Sequence, residues 1–172
     1  MIWGFLFNAQ FGAVNSFLSL LGIENIPWLF HPTWARINIV MLEVWRGLGF
    51  VFVIFLIALR NVPRDFYEAA EIDGASSTRQ LFSISLPMIS PTLFFIIVTQ
   101  TIFSLQIFDS VQLLTRGGPG FSTTTIGLHI YNTAFLFRNM GYGATIAIVL
   151  FFIMIIFTAT QFYIAKKWVH YN

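Results

Sequence analysis

Three long apolar segments limit what this chain can fold into more than any other feature of its sequence. They run from Ile37 to Leu59, from Met88 to Phe108 and from Tyr142 to Ala165. As helices they would measure about 35, ~32 and ~36 Å, and the hydrocarbon core of a bilayer is ~30 Å thick. The chain is 57% hydrophobic and only 9% charged, whereas soluble domains are roughly a quarter charged. We therefore predict an all-α, polytopic membrane helical bundle with three complete transmembrane helices in a lipid bilayer.

The residues before Ile37 carry weaker signals of structure. Met1 to Phe7 is apolar but has neither the basic region nor the cleavage site of a signal peptide, so we expect it to be the end of a further helix. Residues 9–35 contain two prolines and two glycines among aromatic residues, which is typical of short turns at the headgroup level. The net charge of +2 is too small to indicate a nucleic-acid partner.

The basic residues are spread unevenly between the polar segments. If residues 60–87 lie in the cytosol, strict alternation of three spans puts the C-terminus there too. That side then holds five basic residues and the other side holds three: Arg60, Arg64, Arg79, Lys166 and Lys167 against Arg36, Arg116 and Arg138. This bias has the sign of the positive-inside rule. We expect a multi-pass protein of the cytoplasmic membrane with residues 60–87 and the C-terminus inside.

Residues 60–87 contain the most specific pattern of the chain. Seven defined positions follow one another at fixed offsets over 20 residues: Glu68, Ala69, Ala70, Gly74, Ile84, Leu86 and Pro87. Pro63 to Asp73 is predicted to be a helix that ends at Gly74. Ser77 and Gln80 match a capping box for a second helix, which Pro87 is expected to end at Leu86.

The first of these two helices has a composition suited to docking. Two alanines next to Phe66 and Ile72 allow close approach of a partner, and four carboxylates suit a basic receiving surface. The alternative is an amphipathic helix lying on the bilayer surface. Such helices usually carry Lys and Arg on their polar face, whereas acidic residues dominate here, so docking is favoured.

The spacing of this segment resembles the EAA loop of ABC importer permeases, E-A-A-x3-G-x9-I-x-L-P, which docks the membrane subunit onto its ATPase. The resemblance implies a MetI-like ABC permease fold, here its C-terminal part, over residues 1–172. It also implies that the ATPase-docking residues are Glu68, Ala69, Ala70, Asp73, Gly74, Ile84, Leu86 and Pro87. We call residues 60–87 the EAA loop.

Further positions extend the resemblance to carbohydrate-type permeases, similar to the maltose and glycerol-phosphate subunits. They include Asn15, Trp28-Leu29, Trp45, Gly49, Pro63, Ile72-Asp73-Gly74-Ala75, Leu114-Thr115, Gly117-Gly118-Pro119 and Thr123-Thr124-Thr125. The L-T-x-G-G-P element favours the sugar branch. The implied partners are two copies of a cytoplasmic ABC ATPase, a second homologous permease, and an extracytoplasmic solute-binding protein that touches residues 117–125. Residues 109–125 are predicted to be an outward-facing loop, and 126–137 an interfacial or re-entrant helix.

Two groups of residues within the spans are candidates for the solute pathway. A charge inside a span costs roughly 2.5 to 3.5 kcal/mol on insertion scales, so Glu43 and Arg46 require an explanation. The two side chains neutralise each other at i, i+3, or Arg46 snorkels outward, or Arg46 lines a wet cavity. On the middle span Gln100 and Ser104 either bond to a neighbouring helix or face that cavity. In maltose-type permeases the solute site lies at positions resembling Arg46, Gly47, Phe50, Gln100, Phe103 and Ser104.

Several kinds of chemistry have no basis in the sequence. The only lysines are Lys166 and Lys167, so the G-x-x-x-x-G-K-[ST] phosphate loop is absent and ATP hydrolysis is assigned to a separate chain. His31, His129 and His170 are scattered without metal-ligand spacing, and the chain has no cysteine. We therefore expect no cofactor, no metal and no catalytic residue.

The resemblance implies a permease subunit of an ATP-driven importer for a sugar, a polyol or a glycerol-phosphate solute. Permeases of this type generally have at least six spans, so we expect the front half of this chain to be missing. The alternative function is that of a truncated, non-transporting membrane protein that retains only the ATPase-docking element.

Overall fold

A computed structural model describes residues 2–169, and within that range every regular element is helical. The helices are α1 (Ile2–Leu6), α2 (Ala13–Leu20), α3 (Pro32–Arg60), α4 (Arg64–Ile72), α5 (Ser77–Gln80), α6 (Leu86–Met88), α7 (Ser90–Leu105), α8 (Asp109–Leu114), α9 (Ile126–Tyr131) and α10 (Met140–Ala165). Two π-helical turns, Leu81–Ser85 and Asn132–Leu136, continue α5 and α9. The prediction of an all-α chain is confirmed.

The long helices α3 and α10 are each long and apolar enough to cross a membrane. A third crossing requires that Ser77–Met88 and Ser90–Leu105, which are bent by 68° at Ile89, form one span. The middle span thus differs from its predicted bounds of 88–108. Its straight part, α7, has 16 residues and is about 24 Å long, less than the ~30 Å hydrocarbon core.

The chain divides into two compact units. The first unit consists of residues 2–46 and 103–152, and the second of 47–102 and 153–169. In the first unit Ile39, Val111 and Leu128 form a buried cluster, against which Ile107 and Phe108 pack. This cluster joins α3 to α8 and α9 by van der Waals packing, which is a main source of helix association in a membrane.

Hydrogen bonds to the buried side chain of Asn15 hold together the segment before α3. Its Nδ2 donates to the carbonyls of Ala9 and Ile26, and its Oδ1 accepts from Trp28 Nε1 at 2.8 Å. Trp28 is buried as well and packs edge-on against Phe7 and Trp34. The predicted short turns here are in fact a helix, α2, and an ordered loop, because one buried amide satisfies backbone groups on both sides.

The predicted loop 109–125 begins as a helix instead, α8, and only residues after Leu114 form turns. Threonine hydroxyls order these turns: Thr123 Oγ1 lies 2.8 Å from both Thr115 Oγ1 and the carbonyl oxygen of Gly118. Thr125 Oγ1 donates to the carbonyl of Ile107 at 2.6 Å and caps α9. These local side-chain hydrogen bonds order a glycine-rich segment that has no regular pattern of backbone hydrogen bonds.

The second unit packs the N-terminal part of α7 against the C-terminal part of α10. Phe94 meets Phe162 edge to face at 4.8 Å between ring centroids. About two turns further along α7, Thr101 Oγ1 accepts a hydrogen bond of 2.7 Å from Nε2 of Gln161 on α10. An aromatic contact and an interhelical amide bond are both typical of helix pairs in a membrane.

Candidate functional site

The predicted docking helix forms, and the sequence explains its bounds. α4 begins after Pro63, which is the capping residue with φ −60° and ψ 137°, and Asp65 lies in the first turn. A carboxylate there interacts favourably with the positive end of the helix dipole. The helix was predicted from Pro63 to Asp73 and is observed as Arg64–Ile72.

Gly74 ends α4 in the left-handed conformation that its sequence position predicted. Its φ is +73°. The Gly74 amide donates to the Glu71 carbonyl at 3.0 Å, and the Ala75 amide donates to the Ala70 carbonyl at 2.8 Å. These two bonds make a Schellman motif, which satisfies carbonyls that the helix end would leave free. A Cβ at position 74 would meet no atom within 4 Å, so the glycine is required by its backbone conformation alone.

The start of the second helix differs from the prediction by one residue. Ser76, with φ −65° and ψ 157°, is the capping residue, and its Oγ accepts from the Arg79 amide. Ser77 is already helical, so the predicted Ser77 and Gln80 capping box is wrong. Gln80 instead donates from Nε2 to the Ala75 carbonyl at 3.3 Å.

The second helix also continues beyond the expected stop at Leu86. The π-helical turn Leu81–Ser85 leads directly into α6, where Leu86 has helical angles of −62° and −44°. A proline ring normally clashes with the carbonyl one turn earlier, and a widened π turn moves that carbonyl away. The helix therefore passes Pro87 and ends at Met88, where the bend at Ile89 follows.

The two helices of the EAA loop are tied together by Tyr67 and Ser85. The Tyr67 hydroxyl lies 2.8 Å from Ser85 Oγ. Ser85 is only 5% exposed. Because a buried hydroxyl without a partner is costly, this bond favours a single arrangement of the loop.

A shallow cleft of about 210 Å³ lies between these two helices. It is lined by Ala70, Asp73, Ala75, Arg79, Gln80, Ser83 and Ile84. Of the other predicted docking residues, Glu68 and Ala69 are exposed, and Leu86 and Pro87 are partly buried. Ile72, at 88% exposure, and the exposed rings of Phe66 and Phe82 add an apolar surface to the same loop.

The first unit contains an ion network on α3 and α8. Arg46 NH1 lies 2.8 Å from Asp109 Oδ2, 3.5 Å from Glu43 Oε1 and 3.1 Å from Ser110 Oγ. The Ser110 hydroxyl donates to Glu43 Oε1. Arg46 therefore pairs with Glu43, which is one of the predicted alternatives, but its shorter contact is with Asp109.

The remaining candidates for the solute pathway are distributed over both units. In the second unit a Cβ on Gly47 would lie 3.4 Å from Gln100 Oε1, so α3 and α7 meet at these two residues. Phe50 is half-exposed, and Phe103 and Ser104 are exposed near the end of α7. The nearby Ile107 lies beyond the end of α7 and packs on the core of the first unit.

Sequence reasoning missed Asp109, Ser110, Tyr67 and Ser85. Asp109 and Ser110 lie more than 60 residues from their partners in the chain, and Ser85 lies 18 residues from Tyr67. No local pattern joins residues at such separations. One available signal was that ionised side chains inside a span pair with other charged groups, and Asp109 is the acidic residue that directly follows the next span.

No group of three or more His, Asp or Glu side chains in residues 2–169 is arranged to hold a metal ion. His31 and His129 are both exposed. His170 lies outside the described residues.

Residues 1–170 match the family described as binding-protein-dependent transport system inner membrane component. The chain is 36% identical over 166 residues to the sulfoquinovosyl glycerol transport system permease protein SmoG of Agrobacterium fabrum. It is 38% identical over 173 residues to the lactose transport system permease protein LacF of Rhizobium radiobacter. The alignments cover 96% of this chain but 54% and 58% of the relatives, so the chain spans little more than half their length.

The fold has a counterpart among solved structures. A chain of a bacterial ABC transporter involved in the import of the acidic polysaccharide alginate matches with a TM-score of 0.85 at 23% identity. The match covers 96% of this chain and 60% of that one. It confirms the predicted MetI-like permease fold, and the apolar helices α3 and α10 agree with a membrane location. By family match and by relatives above 30% identity over nearly all its length, the chain belongs to the binding-protein-dependent transport system inner membrane components.

Proposed function

We propose that this chain acts as a permease subunit of an ATP-driven ABC importer that moves a sugar, or a related polyol or glycerol-phosphate solute, across the cytoplasmic membrane. The observation that carries the proposal is the ordered, exposed EAA loop. Its helix end, its cap and the Tyr67 to Ser85 bond are all satisfied within the loop, yet Ile72 and Phe66 are uncovered. A rigid apolar surface of this kind is suited to a protein partner.

The proposed partner at the EAA loop is a cytoplasmic ABC ATPase, present in two copies. The docking surface consists of Glu68, Ala69, Ala70, Asp73, Gly74, Ile84, Leu86 and Pro87. Asp65, Glu68 and Glu71 on α4 suit basic residues on the ATPase. In this arrangement ATP hydrolysis takes place on the ATPase, and both the EAA loop and the C-terminus face the cytosol.

Two further partners complete the proposed assembly. A second, homologous permease supplies the other half of the solute cavity, and an extracytoplasmic solute-binding protein contacts the turns at 117–125. Rocking of the two permeases would give alternating access. On this chain the proposed pathway residues are Arg46, Gly47, Phe50, Gln100, Phe103 and Ser104. The permease domain is proposed to extend over residues 1–172.

The names of relatives support the solute class. One is named for lactose transport and another for sulfoquinovosyl glycerol transport, and both solutes contain a sugar. The amide of Gln100, which lies close to Gly47, can hydrogen-bond a hydroxylated molecule.

Crosslinking at a single introduced cysteine tests the docking role. Because the chain has no cysteine, Ala70→Cys places one thiol in the cleft of the EAA loop. Expressed with its neighbouring genes, this variant is expected to capture the ATPase, identified by mass spectrometry of the adduct. A cysteine at Phe151, exposed near the middle of α10, is the matched control and should capture no ATPase.

A second substitution separates docking from chance proximity. Gly74→Val forces a β-branched residue into the left-handed region, which costs roughly 1 to 3 kcal/mol and disturbs the end of α4. We expect at least a severalfold loss of the Ala70→Cys adduct. Gly49→Ala, on α3 where a Cβ meets nothing within 4 Å, should leave the adduct unchanged. Stable insertion without any ATPase adduct would contradict the proposal and favour a non-transporting membrane protein.

A further inference from the structure

The ion network of the first unit is centred on Arg46, within a predicted membrane span, where charged side chains are rare and usually functional. Arg46 is the middle residue of the 29-residue helix α3. Its side chain is 49% exposed, and that of Asp109 is 62% exposed. A half-exposed guanidinium at the centre of a spanning helix is not stable against hydrocarbon, so Arg46 and the Asp109 carboxylate that it contacts face a water-filled cavity or another protein.

The formal charge of this network is negative. Glu43 and Asp109 carry two negative charges and Arg46 one positive charge, while Ser110 links the carboxylate and the guanidinium as donor and acceptor. The segments 88–108 and 140–165 contain no Lys, Arg, Asp or Glu, and 37–59 contains only Glu43 and Arg46. Arg46 is therefore the one positive charge in these segments, and the two carboxylates that it contacts leave the network with a formal charge of −1.

From this charge balance we infer that, of the proposed solutes, it is a neutral sugar or polyol and not an anion that passes this network. The inference rests on the proposed transport function and narrows its solute class. A phosphate or sulfonate group needs an excess of positive charge at its site, since charge-assisted bonds supply most of its recognition. Here the NH1 group already contacts two carboxylates, and a net charge of −1 repels an anion at short range. Hydroxyl groups of a neutral glycoside accept from Arg46 and donate to Asp109 without that penalty.

The solutes for which the relatives are named differ in charge, so the inference favours one of them over the other. The solute named for SmoG contains a sulfonate and is an anion, whereas lactose, named for LacF, is neutral. The charge balance of this chain favours the neutral kind.

Charged thiol reagents measure the potential at the network directly. Leu113 is 72% exposed on α8, one turn after Asp109, and Leu113→Cys provides the thiol. In the assembled transporter, its reaction rates with a cationic trimethylammonium and an anionic sulfonate methanethiosulfonate are compared, each relative to a free thiol in solution. We expect the cationic reagent to react faster. A rate ratio that favours the anionic reagent would overturn the inference.

Removing a carboxylate gives the size of the effect. A unit charge ~6 Å from the thiol changes each rate about threefold in water, in opposite directions, so Asp109→Asn should lower the cation-to-anion ratio about tenfold. Glu43→Gln, an independent variant, should lower it in the same sense. In a matched Ile72→Cys chain, where the thiol lies on the EAA loop, Asp109→Asn should leave the ratio unchanged. An unchanged ratio at Leu113→Cys in both variants would contradict a negative network.

Uptake of an anion completes the test and separates it from the proposed function. We expect no uptake of sn-glycerol 3-phosphate that depends on this chain, and such uptake would overturn the inference. ATPase capture by Ala70→Cys is measured in the same membranes. If Ala70→Cys captures the ATPase but the Leu113→Cys thiol reacts faster with the anionic reagent, only the inference about solute charge is refuted. Absence of capture would count against the proposed function, while the labelling ratio would still report the charge.

Discussion

Tyr67 and Ser85 show how a single pair of residues orders the EAA loop. Tyr67 is on α4, and Ser85 ends the π-helical turn that continues α5. Their hydroxyls meet at 2.8 Å, and Ser85 is buried. The π turn adds an extra residue before Ser85 and so changes which side of the helix it occupies. Removing the Tyr67 hydroxyl leaves a buried polar group in need of a partner.

We predict that Tyr67→Phe loosens the EAA loop. Leaving a buried hydroxyl without its partner costs roughly 1 to 3 kcal/mol, which corresponds to about a 5- to 150-fold faster local opening. Hydrogen exchange of the α4 backbone amides, followed by mass spectrometry on the purified transporter, measures this opening. Tyr163→Phe is the control, because Tyr163 is 69% exposed on α10. Equal exchange in Tyr67→Phe and the unsubstituted chain would show that the bond does not order the loop.

At the scale of elements, the two ends of the turn between α4 and α5 illustrate what sequence can predict. Gly74 was predictable because only glycine readily takes the left-handed conformation that ends a helix. The cap was not, because Ser76 and Ser77 are both suitable residue types. The Schellman bonds fix Ala75 beside the helix end, and Ser76, which is extended, becomes the cap.

The assignment of the cap leads to a prediction about two adjacent serines. Ser76→Ala removes the acceptor of the Arg79 amide, whereas Ser77→Ala removes only an exposed hydroxyl from the first turn. The bond measures 3.4 Å, so we expect the lower part of the capping range, about 0.5 to 1 kcal/mol. Hydrogen exchange over residues 77–88 should therefore accelerate about two- to fivefold in Ser76→Ala only. A larger effect for Ser77→Ala would restore the capping box predicted from sequence.

At the scale of the whole molecule, composition and tertiary pairing differ in how far they can be predicted. The spans α3 and α10 follow from apolar length alone, because a bilayer selects for it. The bend at Ile89 and the pairing of Arg46 with Asp109 depend on contacts between distant segments. Such contacts leave no periodic signal in a single sequence, so the solute-pathway residues were predicted without Asp109, the carboxylate nearest to Arg46.

The bent helix pair decides the topology of the molecule. If Ser77–Met88 and Ser90–Leu105 together cross the membrane once, residues 72 and 121 lie on opposite sides of it. Both positions are open to reagents, since Ile72 is 88% and Phe121 is 90% exposed. We predict that Ile72→Cys reacts with a membrane-impermeant thiol reagent only from the cytosolic side and Phe121→Cys only from the other side.

Labelling in right-side-out and inverted vesicles measures this directly, after peripheral proteins have been washed from the membranes. Phe151→Cys on α10 is the control for leakage, because a thiol facing lipid should react from neither side. Reaction of both variants from the same side would mean that the pair enters and leaves the membrane on one face. The chain would then contain two spans, α3 and α10, and the turns at 117–125 would lie on the same side as the EAA loop. A solute-binding protein outside the cell would have no access to them, so this one result would remove the proposed role of those turns.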